Sequence, residues 1–189
     1  MSRSSVTLRD ATLADVEHLA VLWQPFLRRD VDDQLHDLAT AIEKIGDHPG
    51  ERLVVAEYDG DFAGAVYLLA AAYSPVNPEP VLQAHNPAVV PAHRKRGIGR
   101  ALMESAVTWA EELGIGHVGT ATSSGSREAN RFMARLALGP QAVLRMAPTY
   151  AVRAKLSSRH PAARQVTQVL AARRSLRHAR SVSRSVTGG

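Results

Sequence analysis

Residues 94–99 read Arg94-Lys95-Arg96-Gly97-Ile98-Gly99, and chemistry is concentrated there. Two glycines one residue apart let the backbone bend tightly and leave its N–H groups uncovered. A helical pattern begins at once, over residues 98–113, and adds the positive end of its dipole at the same spot. The turn is therefore expected to bind an anion. Three cationic side chains beside those amides favour a multiply charged ligand such as a pyrophosphate over a lone carboxylate.

Known phosphate-binding designs differ in spacing. A Walker loop needs four residues between its glycines and then Gly-Lys-Ser/Thr, a run that does not occur in this chain. A dinucleotide fingerprint needs a small residue where Leu102 stands and an acid at the end of the next strand. The strand expected over residues 117–122 carries none, so that design is disfavoured. What remains is the pattern Arg/Gln-x-x-Gly-x-Gly/Ala. In its setting, Val89-Val90-Pro91-Ala92-His93 before it and Arg100-Ala101-Leu102 after it, the stretch closely resembles the acetyl-CoA motif of the GNAT N-acetyltransferase family. The resemblance covers roughly residues 6–156, is specific over 89–113 and generic elsewhere.

The resemblance implies an α/β fold of the GNAT acyl-CoA N-acyltransferase type. Its mixed, mostly antiparallel sheet has splayed fourth and fifth strands that admit the pantetheine arm, with helices on both faces. It implies acetyl-CoA as acyl-donor cosubstrate, with Arg94, Lys95, Arg96, Gly97, Ile98, Gly99 and Arg100 around the pyrophosphate. Val89 and Val90 would pair by backbone with the pantetheine amides, and a backbone N–H near Val90 would polarise the thioester carbonyl. Ser126 falls where the family commonly has an asparagine, before the fourth helix. An acceptor amine of unknown identity then attacks the thioester directly. An alkylamine, with a reference pKa of about 10.4, is mostly protonated near neutrality, so a base or water chain must relieve it. His85, near where the family often places a glutamate, is the candidate, and Glu57 is a weaker one.

The chain departs from the family at the helix after Ser126, where Met133, next to Phe132, occupies the usual tyrosine position. A thiol with a reference pKa of about 8.5 can leave without strong acid assistance. Tyr73 and Tyr150 are alternative hydroxyls. Asp30, Asp32, Asp33 and Asp37 cluster at the start of the second helix, beside the family's acceptor entrance. They suit a cationic acceptor and equally the dipole of their own helix. His93 and His117 have no metal-ligand company, so no metal is assigned. A catalytically silent acyl-CoA-binding regulatory module is the competing function.

Periodicity and punctuation give the elements that must hold these groups. A strand is expected over residues 6–9. A helix follows with Thr12 as N-cap and Asp15 at its third position, ending at Trp23, and a second spans 30–45. Residues 53–58 and 62–72 form a hairpin around Asp59-Gly60. A loop covers 74–80. An extended segment at 81–90 carries Pro87, which suggests a bulge. The third helix spans 98–113, a fifth strand 118–122, and a fourth helix, capped by Ser126, 127–138. Residues 141–146 and 150–156 alternate like two final strands.

The 189 residues suit one domain, 1–156, and an appendage, 157–189. With no cysteine, disulfides, thiolate metal sites and a cysteine nucleophile are excluded. No apolar run reaches membrane-span length and the N-terminus lacks a signal region, so a cytoplasmic protein is expected. Residues 1–91 hold 14 acids and 6 bases, while residues 92–189 hold 4 acids and 17 bases. The basic half suits coenzyme A phosphates and the acidic half an amine. The tail contains seven arginines, two histidines and no acid. A helix is expected at 162–178 and disorder at 181–189, with nucleic acid, an anionic membrane surface or an acidic partner as its contact. Oligomeric state is not legible.

Overall fold

A computed structural model describes residues 5–121 and 125–158 of the chain. The elements are β1 (Val6–Asp10), α1 (Val16–Trp23), α2 (Val31–Ile45), β2 (Glu51–Tyr58), β3 (Asp61–Ser74), β4 (Asn77–Val89), α3 (Ile98–Glu112), β5 (Val118–Thr120), α4 (Arg127–Arg135) and α5 (Thr149–Ser158). They divide between two units, Met1–Pro140 and Gln141–Gly189. The first holds one sheet of order β1-β2-β3-β4-β5. Its pairings are antiparallel from β1 to β4 and parallel between β4 and β5.

Leu53, Val54, Val55 and Ala56 are all buried, although neighbours on a strand face opposite sides, so both faces of the sheet are covered. Leu53 and Val55 pack with Leu19, Trp23 and Leu38 from α1 and α2. Val54 and Ala56 pack with Ile98, Leu102, Ala106 and Trp109 from α3. The apolar stripe of α3 expected from its sequence is the second of these layers. Asp59 (φ 54°) and Gly60 (φ 92°) close the expected hairpin with two left-handed residues. Asp30 caps α2 by accepting hydrogen bonds from the N–H groups of Asp32 (3.0 Å) and Asp33 (3.2 Å).

The loop expected over 74–80 is instead the tip of a long β3–β4 hairpin, with Ser74 opposite Asn77 and Ala72 opposite Pro80. The prolines are tolerated because of direction. Leu82 donates its N–H to His117 O at 2.9 Å, toward β5, so Pro80 two residues earlier presents its nitrogen to the same edge and removes no bond to β3. Farther along, Tyr67 faces His85 and Ala65 faces Ala88, which leaves Val66 opposite both Asn86 and Pro87. This is the bulge expected from Pro87, and Asn86 adopts φ 49° within it. The pairing of β4 with β5 stops just before, at Ala84 and Thr120, while β4 runs on to Val89. Past Ala84 the two strands show no further pairing among the described residues.

Two C-terminal expectations are corrected. Helix α4 ends at Arg135 instead of 138, because Ala137 turns left-handed (φ 61°). The N–H of Leu138 bonds Met133 O at 3.1 Å and that of Ala137 bonds Ala134 O at 3.2 Å, the closing pattern of a Schellman motif. Residues 141–146 form no strand, and 150–156 lie in helix α5. Val143, Leu144 and Met146 are exposed, so their alternation buries no face. The following Ala, Arg, Lys and Leu residues are strong helix formers, started by Pro148 O accepting the N–H groups of Ala151 (2.9 Å) and Val152 (3.2 Å). The expected tail helix, the disordered end and Thr122 of the fifth strand lie outside the described residues. No helix among the described residues is long and apolar enough to cross a membrane.

Candidate functional site

From Val89 the chain makes a short 3-10 turn at Pro91–His93 and enters α3 through residues 94–97. Lys95 (φ 63°) and Gly97 (φ 85°) are both left-handed, and Gly97 is the N-cap of α3. A Cβ on Gly97 would meet nothing within 4 Å, so its φ rather than space calls for glycine. Gly99 differs. A Cβ there would lie 3.5 Å from Phe132 Cζ and 3.6 Å from Val89 Cγ2, ordinary contacts, so the second glycine is the less demanding of the two.

Among the described residues, the N–H groups of residues 95–100 have no backbone acceptor, and the first bonded amide is Ala101, to Gly97 O at 3.0 Å. A row of uncovered amides thus surrounds the positive end of a fifteen-residue helix. Arg94, Lys95 and Arg100 are exposed and form no ion pair among the described residues. The Arg96 guanidinium is engaged otherwise, 4.7 Å above the Tyr58 ring. His93 packs against the same ring at 5.6 Å, with its Nδ1 buried and without a hydrogen-bond partner among the described residues.

The β4 edge narrows one expectation. The N–H of Val90 is not available to a thioester, because it donates to Ala63 O at 2.9 Å. Bonding direction alternates along an antiparallel strand, so the preceding N–H, that of Val89, points away from β3 to the edge where β5 no longer pairs. Gly64, opposite Val89, was not singled out by sequence. A Cβ there would fall 2.5 Å from Ala88 O and 3.3 Å from Ile98 Cγ2, so only glycine lets β3 and α3 approach β4 this closely.

His85 lies before the bulge, opposite Tyr67, with ring centroids 6.3 Å apart edge to face. Burial lowers its pKa below the usual 6.5, which keeps the imidazole neutral near neutral pH. The Tyr67 hydroxyl makes a short hydrogen bond to the Glu51 carboxylate, and burial followed by that carboxylate raises its pKa strongly. Tyr67 was missed because no local motif marks it; only the strand register brings it opposite His85, while Glu51 on β2 reaches Tyr67 alone. The weaker base candidate, Glu57, is committed elsewhere, accepting from Arg9 Nε at 2.6 Å and Thr7 Oγ1 at 3.4 Å.

Ser126 caps α4, its Oγ accepting from the Ala129 N–H at 3.3 Å. Met133 is 6% exposed and packed in the core beneath α3, so it presents no acid at the tyrosine position. Tyr73 is well exposed on the β3–β4 tip, and Tyr150 belongs to the second unit. The acids at α2 are largely spent: Arg28 bonds Asp37 at 2.7 Å and Asp33 at 3.2 Å, while Asp30 serves as cap. A cleft of about 320 Å³ lined by Leu8, Arg52, Glu104, Ser105, Trp109 and Glu112 shares no residue with the β4 edge or the turn.

The sequence profile of the Acetyltransferase (GNAT) family matches residues 15–138. No curated protein matches the chain significantly by sequence. Solved structures do resemble it in fold. A transcriptional regulator from Bacillus halodurans is 21% identical with a TM-score of 0.63, covering 76% of this chain and 100% of its own. An aminoglycoside N-acetyltransferase in complex with CoA is 19% identical with a TM-score of 0.64, covering 78% and 97%. A ribosomal-protein-alanine N-acetyltransferase from Brucella melitensis biovar Abortus is 18% identical with a TM-score of 0.61, covering 76% and 99%.

Proposed function

Because the chain belongs to the GNAT acetyltransferase family, we propose that it transfers an acetyl group from acetyl-CoA to a primary amine by direct attack in a ternary complex. The observation that carries this reading is the continuity of two features. Among the described residues, uncovered amides at 95–100 lie just beyond a β4 edge to which β5 no longer pairs. The first suits a pyrophosphate and the second an extended amide-bearing arm.

In this reading the amides of Lys95, Arg96, Gly97, Ile98, Gly99 and Arg100 hold the pyrophosphate, while that of Arg94 is spent on Pro91 O. The free side chains of Arg94, Lys95 and Arg100 add charge. The pantetheine pairs with backbone at Val89 and not at Val90, whose N–H goes to Ala63 O and whose carbonyl accepts the His93 N–H at 2.9 Å, and the Val89 N–H polarises the thioester carbonyl. Ser126 accepts in its cap yet keeps its own hydroxyl hydrogen to donate toward the coenzyme. His85 takes the proton of the attacking amine. The new C–N bond forms as the C–S bond breaks, and the thiolate, with a reference pKa of about 8.5, leaves without an acid from α4. Fold neighbours whose names state an acceptor act on an aminoglycoside, on glucosamine-6-phosphate and on a ribosomal protein, so small-molecule and protein amines are both acceptor classes to test.

A second reading, a silent acyl-CoA-binding module whose basic tail at 157–189 contacts an anionic partner, draws on one observation: Met133 is buried where the family often has its acid. Calorimetric titration with acetyl-CoA, coenzyme A and NAD, on the wild type and a Gly97→Glu, Gly99→Glu double variant, tests the site. Selective coenzyme A binding that the variant loses is expected, and a preference for NAD would overturn the assignment. Release of free coenzyme A with an amine panel supports the enzyme. Binding without release supports the module.

A further inference from the structure

The bulge in β4 does not hold itself. Asn86 sits at φ 49°, which asparagine tolerates better than most residues but glycine better still, and Pro87 offers no N–H to fasten it to β3. An element outside the sheet does fasten it. The Trp23 indole N–H, at the end of α1, donates to the Asn86 carbonyl at 2.8 Å, and Trp23 is 4% exposed, packed with Leu53, Val55 and Ala65. The carbonyl is thereby satisfied at the step where the bonding direction of β4 reverses.

That reversal sets the chemistry on either side. Before it, the N–H of Leu82 points to β5; after it, the N–H of Val90 points to β3 and that of Val89 to the open edge. His85 stands one residue before the bulge and Val89 three residues after Asn86. Were the bulge to slip, the register of Val89 would shift relative to His85, and the two groups would no longer address one reacting carbon.

We propose that Trp23 is a positioning residue for acyl transfer: by donating to the Asn86 carbonyl it locks the β4 bulge that sets His85 and the Val89 N–H on opposite sides of the thioester. The proposal rests on the acyltransfer reading for its consequence in turnover, but not for the lock itself. Trp23→Phe keeps an aromatic ring in the core and removes the donor. Hydrogen exchange at residues 84–90 is then expected to quicken about tenfold, as for loss of one part-buried hydrogen bond, with little change across the rest of β2 and β3. The ratio kcat/KM should fall about tenfold in the same variant, mostly in kcat. Adding Asn86→Gly, which makes the left-handed backbone easy, should restore part of both losses, a rescue that simple core damage would not show. Exchange and turnover both within twofold of wild type would overturn the proposal, as would a uniform rise in exchange across β2 and β3 or no rescue by glycine. A wild type that neither binds nor turns over acetyl-CoA would instead sink the acyltransfer reading, and the exchange arm would still decide the lock.

Discussion

A base for an ammonium acceptor must itself be unprotonated when the substrate arrives, and the surroundings of His85, the proposed base, favour that state. Its ring is half-buried against Tyr67, and desolvation disfavours the imidazolium. The sign follows directly. The folded pKa lies below 6.5, so the imidazole is neutral near neutral pH and gains its proton only as pH falls through the lowered value. The acid limb of kcat/KM should accordingly have its midpoint below 6.5, and His85→Gln should flatten that limb while lowering the plateau about 100-fold. A rate profile over pH with the same limb in the variant removes His85 from the mechanism. Single atoms matter equally at the β4 edge: the Val90 N–H is spent on Ala63 O at 2.9 Å, so the proposed oxyanion donor is the Val89 N–H, on the opposite edge of the strand.

At the scale of elements, what the sequence displays well is whatever local backbone chemistry decides. The turn at 94–99, the Asp59-Gly60 hairpin, the Ser126 cap and the bulge at Pro87 each depend on a few neighbouring residues, and each is present. What depends on register or on a partner surface is hidden. His85 meets Tyr67 only through the pairing of β3 with β4, and Gly64 is required only because Ala88 O comes to 2.5 Å of its absent Cβ. The two expected final strands failed for the same reason, since alternation in 141–146 does not say whether any face is there to be covered. The premature end of α4 has a more local cause. Ala137 stands at the left-handed closing position where glycine is usual, at a cost of about 1 kcal/mol. Ala137→Gly is therefore expected to stabilise the protein by about 0.5–1 kcal/mol, a rise in the urea midpoint without change in slope. An unchanged or lower midpoint would mean that Ala137 bears no strain.

Across the whole molecule the charge asymmetry has a different meaning from the one its totals suggest. Five acids of the acidic half are held by arginines: Arg9 holds Asp15 and Glu57, Arg28 holds Asp33 and Asp37, and Arg52 holds Asp10. The cations at the mouth of α3 have no such partners among the described residues. That mouth therefore suits an anionic ligand, and the paired acids serve stability. Asp15 is the clearest case. Its side chain is 4% exposed, accepts both guanidinium nitrogens of Arg9 at 2.7 and 2.8 Å and the Thr12 N–H at 2.8 Å, and so joins β1 to the start of α1. The Arg9 hydrogen bonds hold its pKa below the ordinary 3.8, against the opposing effect of burial. The unfolded chain then takes up the proton first. The stabilisation is complete above the unfolded value and is lost as pH falls through the folded one. Because Arg9 is 38% exposed, solvent screens the pair, and Asp15→Asn should cost about 2 kcal/mol near neutrality instead of the larger penalty of a fully buried pair. Urea midpoints measured from neutrality down to about pH 2 should show the two proteins converging below about pH 4. A gap that stays constant to the acid end would assign the loss to packing, with the ion pair contributing nothing.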